Sequence, residues 1–133
     1  MNTSGKPIDL LMIVTGLGIA LYWLMFYTVG LAPATPPPGY FAFEHAFWPA
    51  DLLLALGLIV AGARQLTGKS GGRPLALVCA GALMFLGVLD ISFNLQNGIY
   101  GIGPAELLGN AFINLWCVGF GGVLAFRFAR DTG

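Results

Sequence analysis

Four long apolar stretches, separated by short polar or Gly/Pro-rich joints, make up most of the chain. Ile8 to Leu31 runs for 24 residues with no charge except Asp9. A helix that crosses a bilayer needs about 20 apolar residues, so this run predicts a transmembrane helix over about 8–31. Pro7 suits a first helical turn and Asp9 suits the positive end of the helix dipole. Ala32-Pro33-Ala34 imitates a signal-cleavage site. The apolar part of a cleaved signal is only about 7–15 residues, so a retained span is expected instead. Gly16, Gly18 and Ala20 predict a small-residue face for close helix contact. Tyr22, Trp23, Phe26 and Tyr27 predict an interfacial aromatic belt at the far end.

Four prolines between Pro33 and Pro38 exclude a helix there, and three in a row favour a stiff extended segment. Tyr40 to Trp48 is too aromatic for a free loop and too short to span, so it is expected at the interface or dipping between helices. Pro49 is expected to open the second helix, over 49–66, with Asp51 in its first turn and Gly57, Ala61 and Gly62 as a small face. Pro74 opens a third helix over 74–97. A Gly/Pro turn from Gly98 to Pro104 then leads to a fourth over 104–128. The predicted fold is all-α: a polytopic four-helix transmembrane bundle forming one membrane domain over 1–133. The aromatic outer turns and following acids of the two hairpins are too loosely alike to form a repeat.

Polar residues interrupt the third and fourth runs at helical spacing. Asp90, Asn94 and Asn97 precede the turn, and Glu106, Asn110 and Asn114 follow it. Spacings of three and four place each set on one helical face. In an antiparallel hairpin Asn97 lies level with Glu106, Asn94 with Asn110 and Asp90 with Asn114. The sequence therefore predicts a polar seam within an apolar hairpin.

Composition supports the membrane reading. The chain is 57% hydrophobic and 9% charged, against about 25% charged residues in soluble domains. Net charge is zero, and neither a basic patch nor a motif points to nucleic acid. All six basic residues (Lys6, Arg64, Lys69, Arg73, Arg127, Arg130) fall at the two ends or in the loop between helices two and three. With four spans those places share one side, so the positive-inside rule predicts both termini in the cytoplasm of a cell (inner or plasma) membrane. Cys79 and Cys117 are offset by about 12 Å of helix rise in the expected hairpin, too far for a disulfide within one chain. The lipid bilayer is one expected partner. Gly-rich faces and a small bundle predict a second: another copy of the chain or another membrane protein.

Asp90 carries the main chemical signal. An aspartate at the centre of a span costs about 2.5–3.5 kcal/mol. Intramembrane acids commonly face a bundle interior or a water-filled path. No basic residue lies on the outer half to neutralise Asp90, so it is expected either to hold a proton part of the time or to be balanced by a cationic ligand. The predicted binding set is Asp90, Asn94, Asn110 and Asn114, with Glu106, Glu44 and His45 at the mouth and Tyr40, Phe43, Phe47 and Trp48 as a lid. Such a site would bind or translocate a proton, a cation or a small polar ligand. Two alternatives use the same residues. The asparagines would serve as interhelical glue in an accessory subunit, with Glu106 and Asp51 as ordinary helix-start acids. Or Glu44, His45 and Asp90 would be the acid and base of an intramembrane enzyme on a lipid-like substrate. No catalytic set, metal-ligand spacing or cofactor motif stands out, and a non-enzymatic role is favoured.

Overall fold

The computed structural model describes residues 5–130. The residues before Gly5 and after Arg130 lie outside the described residues. The chain is all-helical there: α1 (Lys6–Met25) continues into a π-helical segment (Phe26–Gly30), followed by α2 (Tyr40–Leu66), α3 (Gly72–Gln96), a 3-10 turn (Ile99–Gly101) and α4 (Pro104–Arg130). Four of these, counting α1 together with its π segment, are long and apolar enough to cross a membrane. The chain divides between Cys79 and Ala80, partway along α3, into two compact units.

In the first unit, α1 begins with Pro7 and Asp9 in its opening turn. Its last turn widens to a π-helix, where the Thr28 hydroxyl donates to the Leu24 carbonyl at 2.7 Å. Gly30 ends it at φ +88°, a left-handed conformation open to glycine without a Cβ clash. Residues 31–39 are not helical, as the prolines require.

The start of α2 corrects the sequence reading. Tyr40 to Trp48, expected to precede the second helix, is continuous with it. It forms the first turns of α2, and Pro49 lies inside the helix. Proline gives up one N–H, so the His45 carbonyl loses its partner from Pro49. Apolar spans tolerate this because local adjustments and neighbouring groups satisfy the freed carbonyl. Gly39, at φ +81°, supplies the entry turn that Pro49 was expected to supply. Asp51 consequently sits well inside α2, away from any helix start.

Two glycines bring α1 and α2 into backbone contact. A Cβ on Gly16 would stand 2.6 Å from the Ala55 carbonyl oxygen. One on Gly62 would stand 2.6 Å from the Asp9 carbonyl oxygen. The pair is reciprocal, one glycine from each antiparallel helix, and it lets the backbones meet where any side chain would hold them apart. Gly18, expected on the same face, has open space around it. Further along α2, a Cβ on Gly57 would reach within 2.9 Å of Cys79 Sγ.

In the second unit the rest of α3 packs against α4 by the same device. A Cβ on Gly87 would lie 2.8 Å from Val118 Cγ2, and one on Gly121 would lie 2.8 Å from Met84 Cγ and 3.0 Å from the Ala80 carbonyl oxygen. These contacts run in the hairpin register that levels Asp90 with Asn114. Leu83, Leu124, Phe120 and Phe128 are buried in this unit. Large apolar side chains such as Phe85, Leu108, Phe112 and Leu115 remain about 70% exposed, the distribution expected when the surrounding solvent is itself apolar.

Candidate functional site

In the second unit the fold gathers Asp90, Asn94 and Asn114 of the predicted polar seam by side-chain bonds. Asp90 and Asn94 stand one turn apart on α3, and Asn114 faces them from α4. Asn114 Nδ2 donates to Asp90 Oδ2 at 2.6 Å. Asn94 Nδ2 donates to Asn114 Oδ1 at 3.1 Å and reaches Asp90 Oδ2 at 3.5 Å, the outer limit of a bond. Asn94 and Asn114 are almost fully buried, while Asp90 is half-buried. Three side chains from two helices thus form one closed hydrogen-bonded triangle.

A fourth member comes from the turn. Gly98 leaves α3 at φ +68°, and Ile99, 2% exposed, anchors the 3-10 turn against the hairpin. Tyr100 is thereby directed back toward α4, and its hydroxyl donates to Asn114 Oδ1. The sequence reading missed Tyr100. Its one visible signal was a phenol within a glycine-rich turn next to a polar seam.

The remaining expected rungs do not form. Asn110 Nδ2 donates to the Glu106 carbonyl of its own helix at 2.9 Å, and Asn97 Nδ2 donates to the Phe93 carbonyl of its own helix at 2.9 Å. Each amide satisfies itself one turn back and leaves the other helix alone. Asn94 therefore meets Asn114 rather than Asn110, its level neighbour. Glu106 lies half-buried in the first turn of α4, where the helix dipole favours a carboxylate.

Glu44 and His45 belong to the first unit. Glu44 is buried on α2, and His45 is exposed, with its ring 6.0 Å from those of both Tyr27 and Phe41. Of the four aromatics expected in an interfacial belt, Trp23 and Phe26 are buried. Trp23 Nε1 donates to Asp51 Oδ2 at 2.8 Å, so the indole serves an acid within α2. Cys79 and Cys117 are free thiols. Among the described residues no group of three or more His, Cys, Asp and Glu side chains converges to hold a metal ion.

The electrostatics of the seam are one-sided. Among the described residues, every side-chain bond to the Asp90 carboxylate comes from a neutral amide. The second unit contains only two cations, Arg127 and Arg130. Arg127 stands 13 residues beyond Asn114 on α4, about 20 Å along the helix. Neutral donors ease the burial of a carboxylate but do not cancel its charge.

Comparison with protein-family models, curated proteins and solved structures finds no match to this chain.

Proposed function

We propose that this chain is a multi-pass protein of the cell membrane with both termini in the cytoplasm, and that its seam binds or passes a cation or a proton at Asp90. The observation that carries this reading is a carboxylate in an apolar span whose bonds come from two asparagine amides, with no cation nearby in its own unit. Glue alone explains such an arrangement poorly, because asparagine at position 90 would bond equally well without the cost of a charge. The orientation rests on the distribution of Lys6, Arg64, Lys69, Arg73, Arg127 and Arg130 and on the four apolar helices.

The accessory-subunit reading draws on the same triangle. Asn94, Asn114 and Tyr100 tie α3, the turn and α4 together whether or not anything binds. Thermal melting of the detergent-purified protein separates the two. Wild type and Asp90→Asn are compared across pH 4 to 9, with and without sodium, potassium and small amines. A pH- or cation-dependent shift in wild type that is absent from a folded Asp90→Asn supports binding. Identical melting of the two under every condition leaves the seam as glue and sinks the binding reading.

A further inference from the structure

We propose that the link between α2 and α3 is a docking surface for the headgroups of anionic phospholipids, with Arg64 and Lys69 as the cations that meet them. It rests on the membrane-spanning reading above and is independent of Asp90.

Residues 67–71 form a built loop rather than a loose charged tether. The Lys69 N–H donates to the Arg64 carbonyl at 2.9 Å, and the Gly68 N–H donates to the Gln65 carbonyl at 3.3 Å. With Gly68 at φ +69°, this is the paired-bond closure of a helix by a left-handed glycine. Arg64 Nη1 then reaches across the loop and donates to the Ser70 carbonyl at 2.8 Å. Gly71, at φ +86°, turns the chain into α3. A Cβ on Gly72 would stand 3.1 Å from Arg64 Cβ, so the two helix ends are packed together.

This framework holds two cations in the open. Arg64 and Lys69 are both exposed, and the Lys69 N–H bond to Arg64 makes them neighbours. A guanidinium carries five N–H donors, of which the Ser70 carbonyl takes one. Among the described residues the Lys69 ammonium makes no hydrogen bond or ion pair. Arg73 adds a third cation in the first turn of α3, and no acid lies between Asp51 and Asp90. The contact of Gly62 with the Asp9 backbone brings the start of α1 to the same end of the unit. Lys6 and Asp9 join the loop there, so four cations face one acid.

Location selects the occupant. When α2 and α3 span, a link of five residues keeps these side chains at the headgroup layer. Such a link is too short to present the about 800 Å² that a stable protein partner covers on each side. Lipid phosphates are concentrated at that level. A guanidinium can meet a phosphate with two parallel N–H bonds, and an ammonium meets it as a compact charge.

The test uses the full chain in phosphatidylcholine nanodiscs doped with spin-labelled phosphatidylglycerol or spin-labelled phosphatidylcholine. Electron paramagnetic resonance reads the fraction of each lipid immobilised on the protein. Wild type should favour phosphatidylglycerol severalfold, and less so at high salt. Lys69→Gln leaves the Arg64–Ser70 bond in place and should lower the preference by up to about fivefold, the worth of one basic residue at an anionic surface. Arg64→Gln combined with Lys69→Gln should bring it close to parity. Arg127→Gln combined with Arg130→Gln removes as much charge from α4 and should keep most of the preference. Equal losses in the two double variants overturn the loop as the site and reduce the effect to net charge. Full displacement of phosphatidylglycerol by inorganic phosphate at constant ionic strength overturns the lipid as occupant. Alkaline extraction from vesicles separates the two premises: a released chain removes the membrane reading and the docking surface with it, whereas a retained chain without lipid preference removes the docking surface alone.

Discussion

Each of the two helix hairpins closes on glycines of its own, but they differ in the donor they offer a half-buried acid. In the first unit, Gly16 and Gly62 press backbone on backbone between α1 and α2, and Asp51 accepts a bond from the rigid indole of Trp23. In the second, the nearest atom to a Cβ on Gly87 or Gly121 is a side-chain carbon at 2.8 Å, with backbone atoms at 3.3 and 3.0 Å, and Asp90 is held by the amides of Asn94 and Asn114, the second of which also accepts from Tyr100. Backbone contact leaves no room to adjust, whereas side-chain contact and amide bonds can rearrange. A carbonyl oxygen at 2.6 Å leaves a new side chain less room than a side-chain carbon that can turn, so substitutions at Gly16 and Gly62 should cost more than those at Gly87 and Gly121.

The largest expected effects lie where backbone meets backbone. Gly16→Val or Gly62→Val should destabilise the protein by about 3 kcal/mol, because the new side chain collides with a carbonyl oxygen that cannot rotate away. Gly18→Ala has open space and should instead stabilise by about 0.5–1 kcal/mol through helix propensity. Denaturant titration in micelles measures both, and similar losses at positions 16 and 18 would break the comparison.

Asn114→Ala comes next. It removes the amide closest to Asp90 and the acceptor for both Tyr100 and Asn94, with an expected loss of about 2 kcal/mol. Asp90→Asn keeps the shape and should cost far less, while abolishing the response to cations. The reverse order of stability would show that the carboxylate itself holds the hairpin.

Trp23→Phe retains an aromatic ring but removes the donor to Asp51, for an expected loss of about 1–2 kcal/mol. Adding Asp51→Asn to it should recover part of that loss, since the carboxylate that lost one of its donors is gone. A double-mutant cycle measures the coupling, and additive losses would mean that the bond contributes little.

The smallest effects belong to Asn97→Ala and Asn110→Ala, each under about 0.5 kcal/mol. Their amides serve carbonyls of their own helices, and the backbone bonds survive without them. A loss at either position comparable to that of Asn114→Ala would reinstate the ladder of rungs that the hairpin register predicted.

These contrasts show which parts of the chain were legible as sequence. Apolar run length marked four helices capable of spanning a membrane, because the cost of exposing backbone to lipid leaves few other forms for such runs. Pro49 misled because proline marks a helix start in water more reliably than in an apolar span, so the aromatic segment from Tyr40 onward was expected to precede the second helix rather than begin it. Helical periodicity identified Asp90 and Asn114 as partners. It gave equal weight to Asn97 and Asn110, which bond within their own helices. Periodicity assigns a residue to a face, whereas the direction of an amide depends on which acceptor is nearest once the helices have packed.

What the sequence determined by itself was therefore the helical class, the number of long apolar helices and the faces on which polar and small residues fall. All of these follow from local spacing and from the free energy of transferring side chains and backbone into an apolar medium. Tertiary structure decided which glycines touch backbone, that Trp23 turns inward to Asp51, and that Tyr100 completes the Asp90 network. Those outcomes depend on separations of a few ångströms between groups far apart in the chain, and no local pattern encodes such distances.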